Sequence, residues 1–196
     1  MLGPRKKQCR SEACQLTLGS MRSTVSRGEQ AAVPSENETA PKADWARFGI
    51  EPGWSFAILH RVRWSECDPF GHANHRAYFE WFEEARNRYL ESVGLAPLSP
   101  TTPGPVIAET GIRYDQPLAY ADEILVSART IRLGRTSFEM EYGAWRDGLC
   151  ALGRAVLILM VNVSGEKVPL PPELRERILA HDPDVAGAGL DGSVMR

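Results

Sequence analysis

Several features that mark other protein classes are scarce in this chain of 196 residues. Its four cysteines form no CxxC pair, so neither a disulfide framework nor a cysteine-rich zinc site is indicated, and free thiols in a reducing compartment are expected. No apolar run approaches the length of a membrane-spanning helix. The net charge of −2 gives no general attraction to nucleic acid or to an anionic membrane surface. We therefore expect a cytoplasmic protein with neither as a partner.

The first 50 residues also lack large apolar side chains at any lasting period. Such a segment cannot bury enough surface to offset the entropy lost on ordering, so we expect residues 1–50 to form a disordered, basic and polar tail. The excess of basic residues near the start is a weak sign of a transit peptide, and Met21 is an alternative start. The disordered tail is the preferred interpretation, since no apolar segment typical of a secretory signal is present.

The apolar pattern becomes regular from about residue 54. Residues 54–64 end in a clear alternation and predict a strand. Residues 75–93 give the best helix signal, with Asn74 as a plausible N-cap and Gly94 as a plausible C-terminal stop. Its apolar side chains recur at helical spacing and should be largely buried: Tyr78, Trp81, Phe82, Ala85, Tyr89 and Val93.

Four strand-like segments follow, over residues 106–114, 124–133, 137–145 and 150–163. The joints between them carry Gly, Pro or Asp, and their shortness predicts an antiparallel meander. We therefore expect an α+β domain over residues 51–168, in which five antiparallel strands pack against one long helix. Residues 169–196 should form a short helix and a tail.

The segment WSECDPFGHANHRAY, residues 64–78, gathers side chains that serve as metal ligands or catalytic groups. The absence of an HExxH pattern and of a second ligand cluster disfavours a metal site, and we expect no cofactor. A nucleophilic Cys67 is also disfavoured, because the carboxylates of Glu66 and Asp68 should raise the pKa of its thiol.

The carboxylate of Asp68 is the stronger candidate. It lies just ahead of a helix N-terminus, where free backbone N–H groups and the helix dipole favour negative charge. Gly71 would allow a backbone N–H to approach a carbonyl oxygen, and Asp68 could then attack that carbonyl or activate water. For Asp68 alone, a role in an Asx-turn or helix cap is the simpler interpretation. His72 could position substrate or water, or simply stabilise the turn.

The stretch DPFGHANHRAYFEWFEEAR resembles the signature of hotdog-fold thioesterases of the 4-hydroxybenzoyl-CoA thioesterase-like family. The resemblance extends over about residues 56–180 and implies the hotdog fold, a five-stranded antiparallel sheet wrapped around one long central helix. The residues that carry the signature are Asp68, Gly71, His72, Asn74, Tyr78, Glu84, Ala85 and Arg86.

The resemblance also implies a function, the hydrolysis of an acyl-CoA or acyl-carrier-protein thioester. Asp68 would be nucleophile or general base, and Gly71 or His72 would donate a backbone N–H. Glu84 could be a second acid–base or water-positioning group, or only an exposed helix carboxylate. A homodimer or homotetramer is expected, with sites at the subunit interface. A hotdog module that binds acyl thioesters without catalysis is the alternative. The expected substrate-binding residues are Asn74, Tyr78, Gly134, Arg135, Thr136 and Ser137.

Overall fold

The computed structural model describes residues 39–95 and 99–186 of the chain. Two 3-10 helices, Lys42–Phe48 and Trp64–Glu66, lie on either side of the first strand. The remaining elements, in chain order, are β1 (Phe56–Arg61), α1 (His75–Ser92), β2 (Pro103–Tyr114), β3 (Glu123–Leu133), β4 (Ser137–Trp145), β5 (Leu149–Val161), β6 (Glu166–Lys167) and α2 (Pro172–His181). The predicted long helix and the five predicted strands are therefore all present. The two-residue β6 and both 3-10 helices were not predicted.

The sheet is antiparallel, with the strand order β1-β3-β4-β5-β2 and β6 beside β5. The predicted meander holds for β3, β4 and β5, whose connecting turns are short. It is wrong for β2, which pairs with β5 rather than with β3. The edge of β3 is occupied by β1 instead, in a register that sets Phe56 opposite Ala128.

The main core lies between α1 and the inner face of the sheet. Tyr78, Trp81 and Phe82 are buried there, as the helical spacing predicted. The sheet carries glycine where α1 approaches it most closely, since a Cβ on Gly153 would lie 2.6 Å from the Phe82 ring. The Phe82 ring stacks on that of Tyr142, with centroids 5.4 Å apart. Small residues on β5 thus let a bulky helix face pack against the sheet.

The opposite face of the sheet is covered by residues that precede β1. Trp45 and Phe48 are buried in a second cluster with Leu125 and Trp145. The prediction of a disordered tail up to residue 50 is therefore wrong for residues 40–50. Thr39 also forms a β-bridge with Ile58. The rest of the predicted tail, residues 1–38, lies outside the described residues. Trp45 and Phe48 lie three positions apart in the 3-10 helix. Two apolar residues are too few to show a period in the sequence, but their burial anchors this short helix.

The C-terminal segment is also fixed to the domain. Leu174 and Ile178 of α2 are buried in the main core, which confirms the predicted short amphipathic helix. Directly after α2, buried Asp182 accepts hydrogen bonds from the Tyr89 hydroxyl at 2.6 Å and from the Thr130 N–H at 2.8 Å. Within the described part of the chain, no helix is both long enough and apolar enough to cross a bilayer.

Candidate active site

Asp68 opens a tight turn. The Gly71 N–H donates to the Asp68 carbonyl at 3.0 Å, which closes a β-turn with Pro69 at its second position. Gly71 has φ of 82°, a left-handed conformation that suits glycine. The side-chain Oδ1 of Asp68 accepts from the N–H groups of Phe70 at 2.9 Å and His72 at 3.2 Å. The Asx-turn interpretation is therefore confirmed for Oδ1, whereas none of the described residues donates a hydrogen bond to Oδ2.

The next structural feature is the start of α1. Asn74 caps the helix, since its side chain accepts from the Arg76 N–H at 3.0 Å and its carbonyl accepts from Ala77. The first helical N–H, that of His75, cannot find an acceptor within the helix, and no described residue supplies one. The expected donors, the N–H groups of Gly71 and His72, are instead occupied by Asp68. His75 is thus a backbone donor that the sequence did not single out.

These groups line a groove of about 380 Å³ at the amino end of α1. Its lining includes Asp68, His72 and His75, together with Asp115 and Gln116, which directly follow β2. Tyr78 also lines the groove, so three predicted polar residues and three that were not predicted meet there. Asp115 and Gln116 were not predicted as site residues, because their place in the groove depends on how the sheet brings the end of β2 to the start of α1.

Three side chains in the groove have shifted pKa values, and burial raises the pKa of one of them, Tyr114. Burial, with the nearby Cys150 and Tyr114, raises the pKa of Tyr78 to about 12, so its hydroxyl keeps its proton at neutral pH. Arg113 hydrogen-bonds Asp115 at 2.9 Å and lowers the pKa of that carboxyl group. Asp115 is therefore charged at neutral pH and adds a second carboxylate to the lining of the groove that contains Asp68.

Cys67 lies beside the turn but is not activated. Burial raises the pKa of its thiol, and the adjacent carboxylates of Glu66 and Asp68 raise it further, as predicted. Its Sγ lies 3.6 Å from the Arg63 carbonyl. Cys67 is half-buried, which fits a structural rather than a nucleophilic role. Among the described residues, no group of three or more His, Cys, Asp or Glu side chains is arranged to hold a metal ion.

Glu84 lies elsewhere. It is nine residues into α1, which places it about 14 Å along the helix axis from His75. It pairs with Arg88 at 2.9 Å and borders a separate cavity of about 120 Å³ with Glu80 and Glu66. The structure therefore does not bring Glu84 into the groove with Asp68.

The turn of Gly134, Arg135, Thr136 and Ser137 is also remote within one chain. It connects the end of β3 to β4, whereas the start of β3 lies near the groove, where Ala119 bridges to His72. Eleven residues of β3 separate these two points, roughly 30 Å of strand. Arg135 is exposed, and the Gly134 carbonyl accepts from Arg175 at 2.6 Å.

A family model described as the thioesterase-like superfamily matches residues 62–178. The chain belongs to the thioesterase-like superfamily. The predicted resemblance and the predicted hotdog fold are both confirmed, because solved structures of thioesterases share this arrangement of sheet and helix.

Three relatives illustrate the similarity of this thioesterase-like protein to others. The crystal structure of a thioesterase-superfamily protein from Jannaschia sp. CCS1 is 28% identical, with a TM-score of 0.70 over 79% of this chain and 99% of its own. A thioesterase from Thermus thermophilus, crystallised with coenzyme A and zinc, is 31% identical, with a TM-score of 0.61 over 68% and 98%. An uncharacterised Bacillus subtilis protein is 29% identical over 129 residues, which cover 64% of this chain and 87% of the relative.

Proposed function

We propose that this protein hydrolyses an acyl thioester, of CoA or of an acyl-carrier protein, to a free acid and a thiol. The observation that carries the proposal is the pairing of Asp68 with the unpartnered His75 N–H in one groove of a thioesterase-like protein. A carboxylate and a backbone donor at a helix N-terminus are the two groups that acyl transfer requires. The solved thioesterase with bound coenzyme A supports CoA as the thiol carrier.

The thioester carbonyl oxygen would accept from the His75 N–H. Negative charge develops on that oxygen in the transition state, and the positive end of the α1 dipole stabilises it. Asp68 Oδ1 is held by Phe70 and His72, so Oδ2 is the oxygen that faces the substrate. His72 and Tyr78 would contact the substrate from the sides of the groove. Asn74 would act through its cap, by fixing the start of the helix.

Two balanced routes use this geometry. As a nucleophile, Asp68 Oδ2 forms a C–O bond to the carbonyl carbon while the C–S bond breaks, and water then hydrolyses the resulting anhydride. As a general base, Asp68 takes a proton from water as that water attacks, and the proton passes to the departing thiolate. Both routes release one acid and one thiol for each water consumed.

The turn of Gly134 to Ser137 would reach the groove only from a second copy of the chain. The turn of Gly134 to Ser137 lies roughly 30 Å of strand from the start of β3, so one chain cannot supply it to its own groove. We propose a homodimer, in which Arg135 of one protomer approaches the CoA phosphates bound by the other. The long β2 edge offers the surface for this contact, as residues 107–111 are exposed on both faces.

A panel of acyl-CoA substrates tests the proposed activity. Free-thiol release should be fast for the wild type and reduced by about 10²-fold or more in Asp68→Asn, because the carboxylate acts in the transition state. Asp147→Asn, in the exposed β4–β5 turn, is a matched control and should retain wild-type turnover.

Two results would contradict the proposal. Unchanged turnover in Asp68→Asn would remove Asp68 from the mechanism. Tight acyl-CoA binding without thiol release, at every chain length, would favour the non-catalytic binding module instead.

A further inference from the structure

Glu66 is a buried carboxylate that the proposed mechanism does not use. It is 7% exposed and lies two residues before Asp68, at the end of the 3-10 helix that follows β1. A buried carboxylate is costly unless several donors replace its water, so its contacts indicate what it does.

Both side-chain oxygens of Glu66 are bound. Oε2 accepts from the Arg63 N–H at 2.7 Å and lies 3.0 Å from His60 Nε2 on β1. Oε1 accepts from the Trp81 indole N–H at 2.9 Å on α1. One side chain therefore connects the end of β1 to the middle of α1, and each contact is a strong, charge-assisted hydrogen bond.

The backbone of Glu66 makes a further connection. Its carbonyl accepts from the Asn74 N–H at 2.7 Å, so Glu66 and Asn74 close the base of the loop between them. Asp68 lies two residues inside that base, and His75 lies immediately after it. The loop that carries Asp68 therefore begins and ends at the hydrogen bond between Glu66 and Asn74, and the helix that carries the His75 N–H starts directly after it.

We propose that Glu66 is a positioning residue that sets the separation between the Asp68 carboxylate and the His75 N–H. The inference rests on the proposed thioesterase function. The physical basis of the proposal is that, among the described residues of this loop, no other buried side chain makes hydrogen bonds to both β1 and α1. A displacement of about 1 Å between two reacting groups can lower a rate by about 10²-fold.

The Glu66→Gln variant tests the role. Glutamine keeps the size of the side chain, but its NH₂ group must face a donor, either Arg63 N–H or the Trp81 indole. We expect kcat to fall by about 10-fold to 10²-fold with KM changed less than about threefold, because substrate binding surfaces remain. Hydrogen–deuterium exchange should rise in residues 66–78 and stay unchanged in β3 to β5.

Asp182→Asn is the matched control. It also changes a buried carboxylate to an amide. That carboxylate accepts two hydrogen bonds, but it lies near the far end of α1. It should lower the melting temperature while leaving kcat unchanged, which separates positioning from general destabilisation. Trp81→Phe removes the indole donor together with one ring of a buried side chain, and should lower kcat by a smaller factor than Glu66→Gln. It carries the test if Glu66→Gln does not fold.

The outcomes separate the two proposals. Wild-type kcat in Glu66→Gln, or in a folded Trp81→Phe when Glu66→Gln does not fold, overturns the positioning role, as does an equal loss of kcat in Asp182→Asn. If Asp68→Asn retains full turnover, the proposed function fails instead. Faster exchange confined to residues 66–78 would then still establish that Glu66 orders this loop, because that measurement needs no substrate.

Discussion

At the scale of single residues, Asp68 holds a turn through one oxygen of its carboxylate and is proposed to act on substrate through the other. Its Oδ1 holds the turn through Phe70 and His72, and its Oδ2 is left for the groove. The hydrogen bonds to Oδ1 fix the orientation of the carboxylate before any substrate arrives, which reduces the reorganisation needed in the transition state. The Asx-turn and the catalytic role, which the sequence set against each other, are therefore compatible.

Glu66 gives a prediction about pH. Burial alone would raise its pKa, but hydrogen bonds from the Arg63 N–H, Trp81 and His60 outweigh burial and lower the pKa below the ordinary value of 4.5. A carboxylate with a lowered folded-state pKa stabilises the protein above its unfolded pKa and loses that contribution as pH falls through the folded value. The free energy of unfolding of the wild type, relative to Glu66→Gln, should be constant above about pH 5.5 and decrease below about pH 4.5.

Urea denaturation at a series of pH values measures this difference. Glu176→Gln, on the exposed face of α2, is the control and should show no comparable pH dependence relative to the wild type. An advantage of the wild type over Glu66→Gln that grows as the pH is lowered would contradict the predicted direction of the shift.

At the scale of elements, α1 serves two purposes along its length. Its first turn offers the His75 N–H to the groove, whereas Tyr89, near its other end, binds Asp182 and thereby holds the segment after α2. Burial and the neighbouring Asp182 raise the pKa of Tyr89, which keeps its hydroxyl a donor. The same buried helix thus has, at the end that lines the groove, an N–H with no acceptor among the described residues, and its other end secures the C-terminal segment.

Removal of the Asp182 carboxylate should destabilise the domain. Asp182→Ala leaves the Tyr89 hydroxyl and the Thr130 N–H without their buried acceptor, and we expect a loss of about 3 kcal/mol in the free energy of unfolding. Asp184→Ala, two residues further on and exposed, should change it by less than about 0.5 kcal/mol. Urea denaturation of both variants gives the comparison, and equal small effects would show that the Asp182 contacts contribute little.

At the scale of the whole molecule, the β2 edge is the most informative surface. It is a long edge strand with five consecutive exposed residues, and such edges are usually paired or blocked. The exposed Ile107 and Tyr114 side chains lie on the same strand. These features favour a second copy of the chain as the partner, as proposed for the complete site.

Gly111→Lys tests that interface. A Cβ on Gly111 would meet no atom within 4 Å, so the isolated chain should tolerate the substitution, whereas a charged side chain on a paired edge should weaken dimerisation. We expect light scattering to show a wild-type dimer and a shift of Gly111→Lys towards the monomer, with thioesterase activity lost in parallel. Val163→Lys, exposed in the β5–β6 turn, should remain dimeric and active. An active Gly111→Lys monomer would argue against a shared site.

The strand order shows where local signals are sufficient and where they fail. The turns between β3, β4 and β5 are short, and a short turn leaves antiparallel neighbours as the simplest arrangement. The joint between β2 and β3 is eight residues long and permits either edge. The choice between β3 and β5 as the partner of β2 depends on which edge β1 occupies, and no local pattern carries that information.

The sequence by itself determined the helix from His75, its Asn74 cap, the five strands and the family motif around Asp68. These features follow from local periodicity and turn chemistry, which act over a few residues. Only the tertiary structure decided that Asp115 and Asp68 line one groove, that Glu84 lies elsewhere and that Trp45 and Phe48 cover the sheet. Those relations join residues far apart in the chain, and packing and strand pairing rather than local propensity determine them.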